Sequence, residues 1–303
     1  MKNVLLIGPG AVGSLCGAGL LKADTLDFRV LADDERIQRY RRTGHYLNGT
    51  LLPYCYQTVE DLRNWCPDLI LIATKSNGLR QLPELMRLCV AKRHTVILPL
   101  LNGISSPFFL KKLFPENPVL QGFFLGHASY REENRITHDG VGKFYLGCME
   151  ENGEDKEFLS KCAEVFRKAS IPVEVPENML NALWHKYVLN VGVNQSSAYF
   201  MADYGTLQKT PAYLQFARDL MEEAVAVAAK LDIPGREDMV QRAMDVILSM
   251  PPTAKTSMLQ DVEKGRPTEV DLFAGTLIKL GRKCNIPTPC NEKIWDKFSS
   301  SLS

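Results

Sequence analysis

Short runs of Val, Ile and Leu alternate with amphipathic stretches through the first half of the chain, a pattern that predicts βαβ units around a parallel sheet. Strands are expected at 3–7, 27–32, 69–73, 95–98 and 119–124, with helices at 12–22 and 79–90 between them. Segments 135–139 and 142–147, separated by Gly140 and Gly142, read as a β-hairpin that extends the sheet. A helix near 156–169 and a strand at 171–175 close this half. After Pro176 the strand signal fades. Apolar positions recur there at three- and four-residue spacing over 178–193, 211–231, 238–250, 271–284 and 291–299, which predicts a helical second half.

At 303 residues the chain exceeds one ordinary core, and the change of pattern divides it into 1–175 and 176–303. Lys and Arg number 36 against 35 Asp and Glu, a balance that offers no electrostatic footprint to nucleic acid or an anionic membrane. A small-molecule partner is therefore expected. The start of the chain carries no leader pattern, and no apolar stretch reaches the ~20 residues of a membrane span, so a cytoplasmic protein is expected. Eight cysteines are scattered without CxxC spacing or clustering with His, which argues against a metal site and against a disulfide framework.

The strand at 3–7 runs directly into Gly8-Pro9-Gly10-Ala11-Val12-Gly13 and then into a helical pattern. That is GxGxxG in its required setting of strand before and helix after. Gly8 permits the tight turn, Gly10 lets backbone approach a pyrophosphate, Gly13 allows close helix packing, and free N–H groups at the helix start attract phosphates. The fold class is accordingly an α/β Rossmann-type parallel sheet domain followed by an all-α domain. Asp33, about 20 residues on, holds the place of the acid that receives the adenosine ribose hydroxyls and favours NAD(H). Arg36 nearby is suited to a 2′-phosphate instead, so the residues alone leave the cofactor divided.

In the second half, the apolar stretch around Trp184-His185-Lys186 is interrupted by Lys186, Asn190 and Asn194, four residues apart and hence on one helix face over roughly 12 Å. A buried ammonium and two buried amides cost several kcal/mol unless paired, so this stripe should face a cleft or ligand. A second polar cluster runs from Ser257 to Asp271, where Glu269 is expected beside Lys186 and Thr268 or its neighbours offer a helix cap. Two further polar positions, Lys75 and Asn102, follow strands, where the ligand crevice of an open parallel sheet lies.

The motifs GPGAVG at Gly8, TKSN at Lys75, LLNG at Asn102, WHKYVLNVGVN at Lys186 to Asn194, and SMLQDVEKGRPTEVD from Ser257 resemble ketopantoate reductase in order and spacing over essentially the whole chain. The resemblance implies NADP(H)-dependent reduction of 2-dehydropantoate to pantoate, in pantothenate and coenzyme A synthesis, at a site between the two domains. It also implies roles: Lys186 as general acid, Glu269 as its carboxylate partner, Asn190, Asn194 and Ser257 as substrate ligands, and Lys75 and Asn102 at the nicotinamide end. Departures are present as well. Asp33 stands where the family often has a basic residue, and Gln195 and Ala274 replace what are commonly proline and asparagine.

The expected chemistry is hydride transfer to a ketone carbon while the Lys186 ammonium protonates the oxygen, with Glu269 opposing the loss of that proton. A reductase of another branched or hydroxylated 2-oxo acid is the nearest rival reading. A noncatalytic dinucleotide sensor is a second, which the lysine, the asparagines and the glutamate together disfavour. The sequence allows a homodimer without specifying one.

Overall fold

A computed structural model describes residues 1–79, 82–87, 89–91, 94–126, 129–140, 142–149 and 153–302. Cα proximity divides the chain into two compact units, Met1–Leu101 with Ser106–Met179, and Asn102–Ser105 with Leu180–Ser303.

The first unit is built on β1 (Asn3–Ile7), α1 (Ala11–Leu20), β2 (Asp27–Leu31), α2 (Asp34–Thr43) and the short strands β3 (Tyr46–Leu47), β4 (Thr50–Leu51) and β5 (Tyr56–Gln57). There follow β6 (Leu69–Ile72), α3 (Ser76–Leu79), α4 (Leu82–Arg87), β7 (Val96–Pro99) and α5 (Ser106–Leu113). Part of the helix expected at 79–90 lies outside the described residues. The parallel sheet runs β5-β2-β1-β6-β7, with β2 and β6 pairing on opposite sides of β1. Strand order therefore reverses at β1, the place where open α/β sheets bind ligands beyond their carboxyl ends. Because side chains alternate along a strand, Val4, Leu6, Leu69 and Leu71 pack with Leu15, Cys16 and Leu20 of α1 on one face. On the other face Leu5, Ile7, Ile70 and Ile72 pack with Leu82 and Met86 of α4 and Leu110 of α5. Burial on both faces explains the nearly continuous apolar runs.

The unit continues through β8 (Leu120–Leu125), β9 (Ser129–Glu132), β10 (Arg135–His138), β11 (Lys143–Cys148), α6 (Gly153–Lys168) and β12 (Val173–Glu174). The hairpin expected between 135–139 and 142–147 does not form. β10 pairs instead with β9 across a turn at Glu133, which takes φ 48°, and on its other side with β3. β11 pairs with β8, where Phe124 stacks on Phe144 at 4.6 Å and Phe123 on Tyr145 at 4.9 Å. Those cross-strand aromatic pairs set the partner. Gly142, at φ 63°, lets the chain pass against the Leu125 carbonyl where a side chain would collide. The glycines thus serve a linker between two sheets rather than a turn.

The second unit is helical: α7 (Met179–Phe200), α8 (Tyr204–Lys209), α9 (Pro211–Lys230), α10 (Met239–Ser249), α11 (Ser257–Glu263), α12 (Ala274–Cys284) and α13 (Pro289–Phe298). α7 runs well past the expected 193, through Asn194-Gln195-Ser196-Ser197, four polar residues that are all buried. Hydrogen bonds make this tolerable, since Ser196 Oγ donates to the Gly192 carbonyl at 2.7 Å and Ser197 Oγ to that of Ala202. Gly192 lies directly under the Met221 side chain of α9, so the two helices meet where a Cβ has no room. Gly192→Leu should therefore overpack this crossing at a cost of about 1–3 kcal/mol, read as a lowered urea midpoint of the helical signal. An unchanged midpoint would show that the crossing relaxes freely.

Candidate functional site

In the first unit the glycine loop leaves β1 and turns into α1. Gly8 adopts φ 91°, and a Cβ there would stand 2.8 Å from the Thr74 amide nitrogen, so only glycine fits. Gly13 packs so closely on the Gly8 carbonyl that a side chain would collide with it. At Gly10, by contrast, a Cβ would meet only ordinary contacts, Arg131 Nη1 at 3.4 Å and the Ala73 carbonyl at 3.9 Å. α1 has no side-chain cap and no acidic residue in its first turn. Its N-terminal amides and positive dipole end are thus left for an anion. This is a cradle of the shape and sign a pyrophosphate needs, and the residues present fit a dinucleotide.

Asp33 and Arg36 are occupied with each other. Asp33 Oδ1 accepts a hydrogen bond from the Arg36 amide at 2.8 Å, capping α2, and Oδ2 lies 3.3 Å from Arg36 Nε. Both side chains are more than half exposed. Lys75 is exposed three residues beyond β6, next to Thr74 and hence beside the glycine turn. The insertion strand β9 supplies Arg131, which sequence reasoning missed. No motif marks it, because folding alone brings 131 to the loop at 10.

In the second unit Lys186, Asn190 and Asn194 lie along α7, with Asn194 buried and the other two partly buried. Burial pushes the Lys186 ammonium down to about 8, and the Glu269 carboxylate works against that shift. Glu269 follows the Gly265-Arg266-Pro267 turn after α11. Its Oε2 accepts a hydrogen bond from Asn102 Nδ2 at 2.9 Å, so the 102–105 segment brings an amide to the carboxylate that faces the lysine. Lys186, Glu269 and Asn102 therefore form one cluster. Among the described residues no hydrogen bond to protein engages the side chains of Asn190, Asn194 or Ser257, the last of which is exposed at the start of α11.

The turn carrying Glu269 is not capped by Thr268, whose Oγ1 is buried without a partner. The first amide of α12, Ala274 N, donates instead to Gln195 Oε1 at 2.9 Å. Gln195 Nε2 donates in turn to the Val191 carbonyl at 2.8 Å and to Asn291 Oδ1 at 2.9 Å. Asn291 Nδ2 donates to Glu223 Oε2 at 2.7 Å, and that carboxylate also receives the Cys290 and Asn291 amides opening α13. The two positions that depart from the resembled family, 195 and 274, are thus hydrogen-bonded to each other. Among the described residues no cluster of His, Cys, Asp and Glu suits a metal ion, and no helix is long and apolar enough to cross a membrane.

Residues 4–151 match the family model described as Ketopantoate reductase PanE/ApbA, and 178–300 match its C-terminal counterpart. Similar curated proteins include the 2-dehydropantoate 2-reductases of Pyrococcus horikoshii, 26% identical over 97% of this chain and 95% of that protein, and of Vibrio cholerae, 26% identical over 98% and 97%. Among solved structures, the PanE/ApbA family ketopantoate reductase from Ralstonia eutropha has a TM-score of 0.84 at 24% identity, covering 99% and 98% of the two chains. The 2-dehydropantoate 2-reductase from Methylococcus capsulatus gives 0.81 at 28%, covering 98% and 96%. A D-mandelate dehydrogenase solved with NADH and anilino(oxo)acetate gives 0.87 at 19%, covering 99% and 98%, a likeness of fold alone. The α/β unit with its glycine cradle, the helical unit with its lysine and glutamate, and the two successive family matches together make this chain an oxidoreductase belonging to the ketopantoate reductase family.

Proposed function

We propose that this chain reduces 2-dehydropantoate to pantoate, the step that feeds pantothenate and coenzyme A synthesis, with a reduced nicotinamide dinucleotide held on the glycine cradle. The observation that carries the reading is the cluster of Lys186, Glu269 and Asn102 on the helical unit. The names of the curated relatives support the choice of substrate. We assign the protein to the cytoplasm as a soluble enzyme.

A reduced nicotinamide, when bound, supplies hydride to the ketone carbon. The remaining work falls to the protein. Lys186 Nζ donates a hydrogen bond to the ketone oxygen and passes its proton there as negative charge develops. A donor at about 8 is still charged at neutral pH yet gives up its proton more readily than an ordinary lysine. Glu269 keeps the ammonium charged, and Asn102 fixes the carboxylate that does so. Asn190, Asn194 and Ser257 have open donors and acceptors for the substrate hydroxyl and carboxylate, a gain through positioning. Arg131 and the α1 amides receive the pyrophosphate.

Cofactor choice rests on Asp33 and Arg36. With its carboxylate turned to the adenosine ribose, Asp33 accepts from the 2′-hydroxyl and repels a 2′-phosphate; with Arg36 turned inward, the phosphate is met by a guanidinium. Family resemblance favours NADPH, and Asp33 leaves NADH usable. The departures from the family at Gln195 and Ala274 keep another 2-oxo acid as the second reading.

The deciding assay follows NADPH and NADH oxidation with 2-dehydropantoate and a panel of branched, hydroxylated and aromatic 2-oxo acids. Preference for 2-dehydropantoate is expected, and better turnover of another acid would move the assignment to the second reading. Lys186→Ala should lower kcat by about 10²–10⁴-fold with cofactor affinity retained, and near-normal turnover would remove the lysine as proton donor. The rate should fall as pH rises through about 8, where Lys186 loses its proton. In Glu269→Gln the support for the ammonium is gone, so this alkaline limb should move to lower pH; movement to higher pH would contradict the pairing. Asp33→Asn should raise the preference for NADPH over NADH by about tenfold in kcat/KM, roughly 1.4 kcal/mol, and no change would place Asp33 away from the ribose.

A further inference from the structure

We propose that α7 carries a positioning pair, Tyr187 and Gln195, which grips the peptide group between Phe273 and Ala274 from both edges and thereby holds the Glu269 carboxylate opposite the Lys186 ammonium. Tyr187 Oη donates to the Phe273 carbonyl at 2.8 Å, and Gln195 Oε1 accepts from the Ala274 amide at 2.9 Å. Carbonyl and amide belong to one planar unit, so two side chains of a single helix take its oxygen and its hydrogen. Both are buried, Tyr187 at 1% and Gln195 at 0% exposure, where a lost partner leaves an unsatisfied polar group rather than a solvated one.

What this peptide controls is the turn that ends in it. The Glu269 carbonyl accepts from the Leu272 and Phe273 amides at 3.0 and 3.2 Å, so the glutamate backbone is tied within four residues to the gripped unit. Lys186 precedes Tyr187 directly on α7. Lysine and glutamate are thus referred to the same helix, one by sequence and the other by the clamp. Gln195 is itself held, because its amide donates to Val191 on its own helix and to Asn291, which Glu223 fixes. The Glu269 charge acts to hold the Lys186 proton, and the neutral Asn102 amide donates to that carboxylate. His185, next along the helix, faces Asp238 and Arg242 instead. A turn that slackens therefore weakens the Glu269 charge that opposes loss of the Lys186 proton.

The proposal rests on the reading of Lys186 as proton donor, and its test uses a readout that does not need turnover. Tyr187→Phe and Gln195→Met are made in the full chain, each checked for wild-type helical content by circular dichroism and for unchanged dinucleotide affinity. The Lys186 Nζ titration is followed by NMR on ¹⁵N-lysine protein without substrate, the signal assigned by its loss in Lys186→Met. Each variant should show Lys186 losing its proton about one pH unit lower than wild type, with kcat reduced about tenfold, cofactor KM unchanged and the alkaline limb moved down in step. A role in stability alone would lower the melting temperature and leave the titration in place. A folded variant whose Lys186 titration and alkaline limb match wild type overturns the clamp, and if Gln195→Met does not fold, Tyr187→Phe decides alone. Should the wild-type chain reduce no 2-oxo acid, a shifted Lys186 titration still upholds the clamp while the proposed function fails; an unshifted one in an active enzyme does the reverse.

Discussion

An ammonium withdrawn from water must be matched by a negative charge, and much of the helical unit is arranged around that requirement at Lys186. Desolvation alone drives a lysine toward neutrality, and an ionised carboxylate alongside drives it back. The balance at about 8 is a compromise between these two, with burial the larger effect. Asn102 is the visible sign of that constraint. Its amide spends a hydrogen bond on Glu269, fixing one oxygen while the carboxylate answers the lysine.

The parallel-sheet unit meets a different constraint, access of backbone to an anion. Gly8 and Gly13 are forced by collision, with Thr74 in one case and with the Gly8 carbonyl in the other, whereas a Cβ at Gly10 would meet only ordinary contacts. The loop is thus shaped by what it must touch within the protein and by what it must leave open. Arg131, from a strand inserted more than a hundred residues later, brings positive charge beside Gly10.

Much of this was legible in the sequence wherever local pattern and fold agree. Strands β6 and β7 announce themselves because burial on both faces leaves no polar position, β1 because it has one only at Asn3, and the glycine loop because its spacing is dictated by sterics. The stripe of Lys186, Asn190 and Asn194 is visible because helical periodicity brings the three to one face. Two features were not. The pairing of β8 with β11 depends on aromatic contacts between distant segments, so the conspicuous glycines at 140 and 142 pointed to the wrong hairpin. The continuation of α7 through Gln195-Ser196-Ser197 is not signalled, since nothing local shows that the Gln195 amide and the two serine hydroxyls find buried acceptors. The residue whose departure from family habit drew notice, Gln195, has a partner 79 positions away, beyond the reach of any local rule.

The chain of hydrogen bonds from Gln195 through Asn291 to Glu223 ties the opening turn of α13 to the middle of the bundle. The last helix is consequently no removable appendage. A truncated form stopping before Asn291 would strip Gln195 of its support and leave Glu223 facing an empty groove, so trimming for crystallisation or fusion of a carrier domain belongs beyond Phe298.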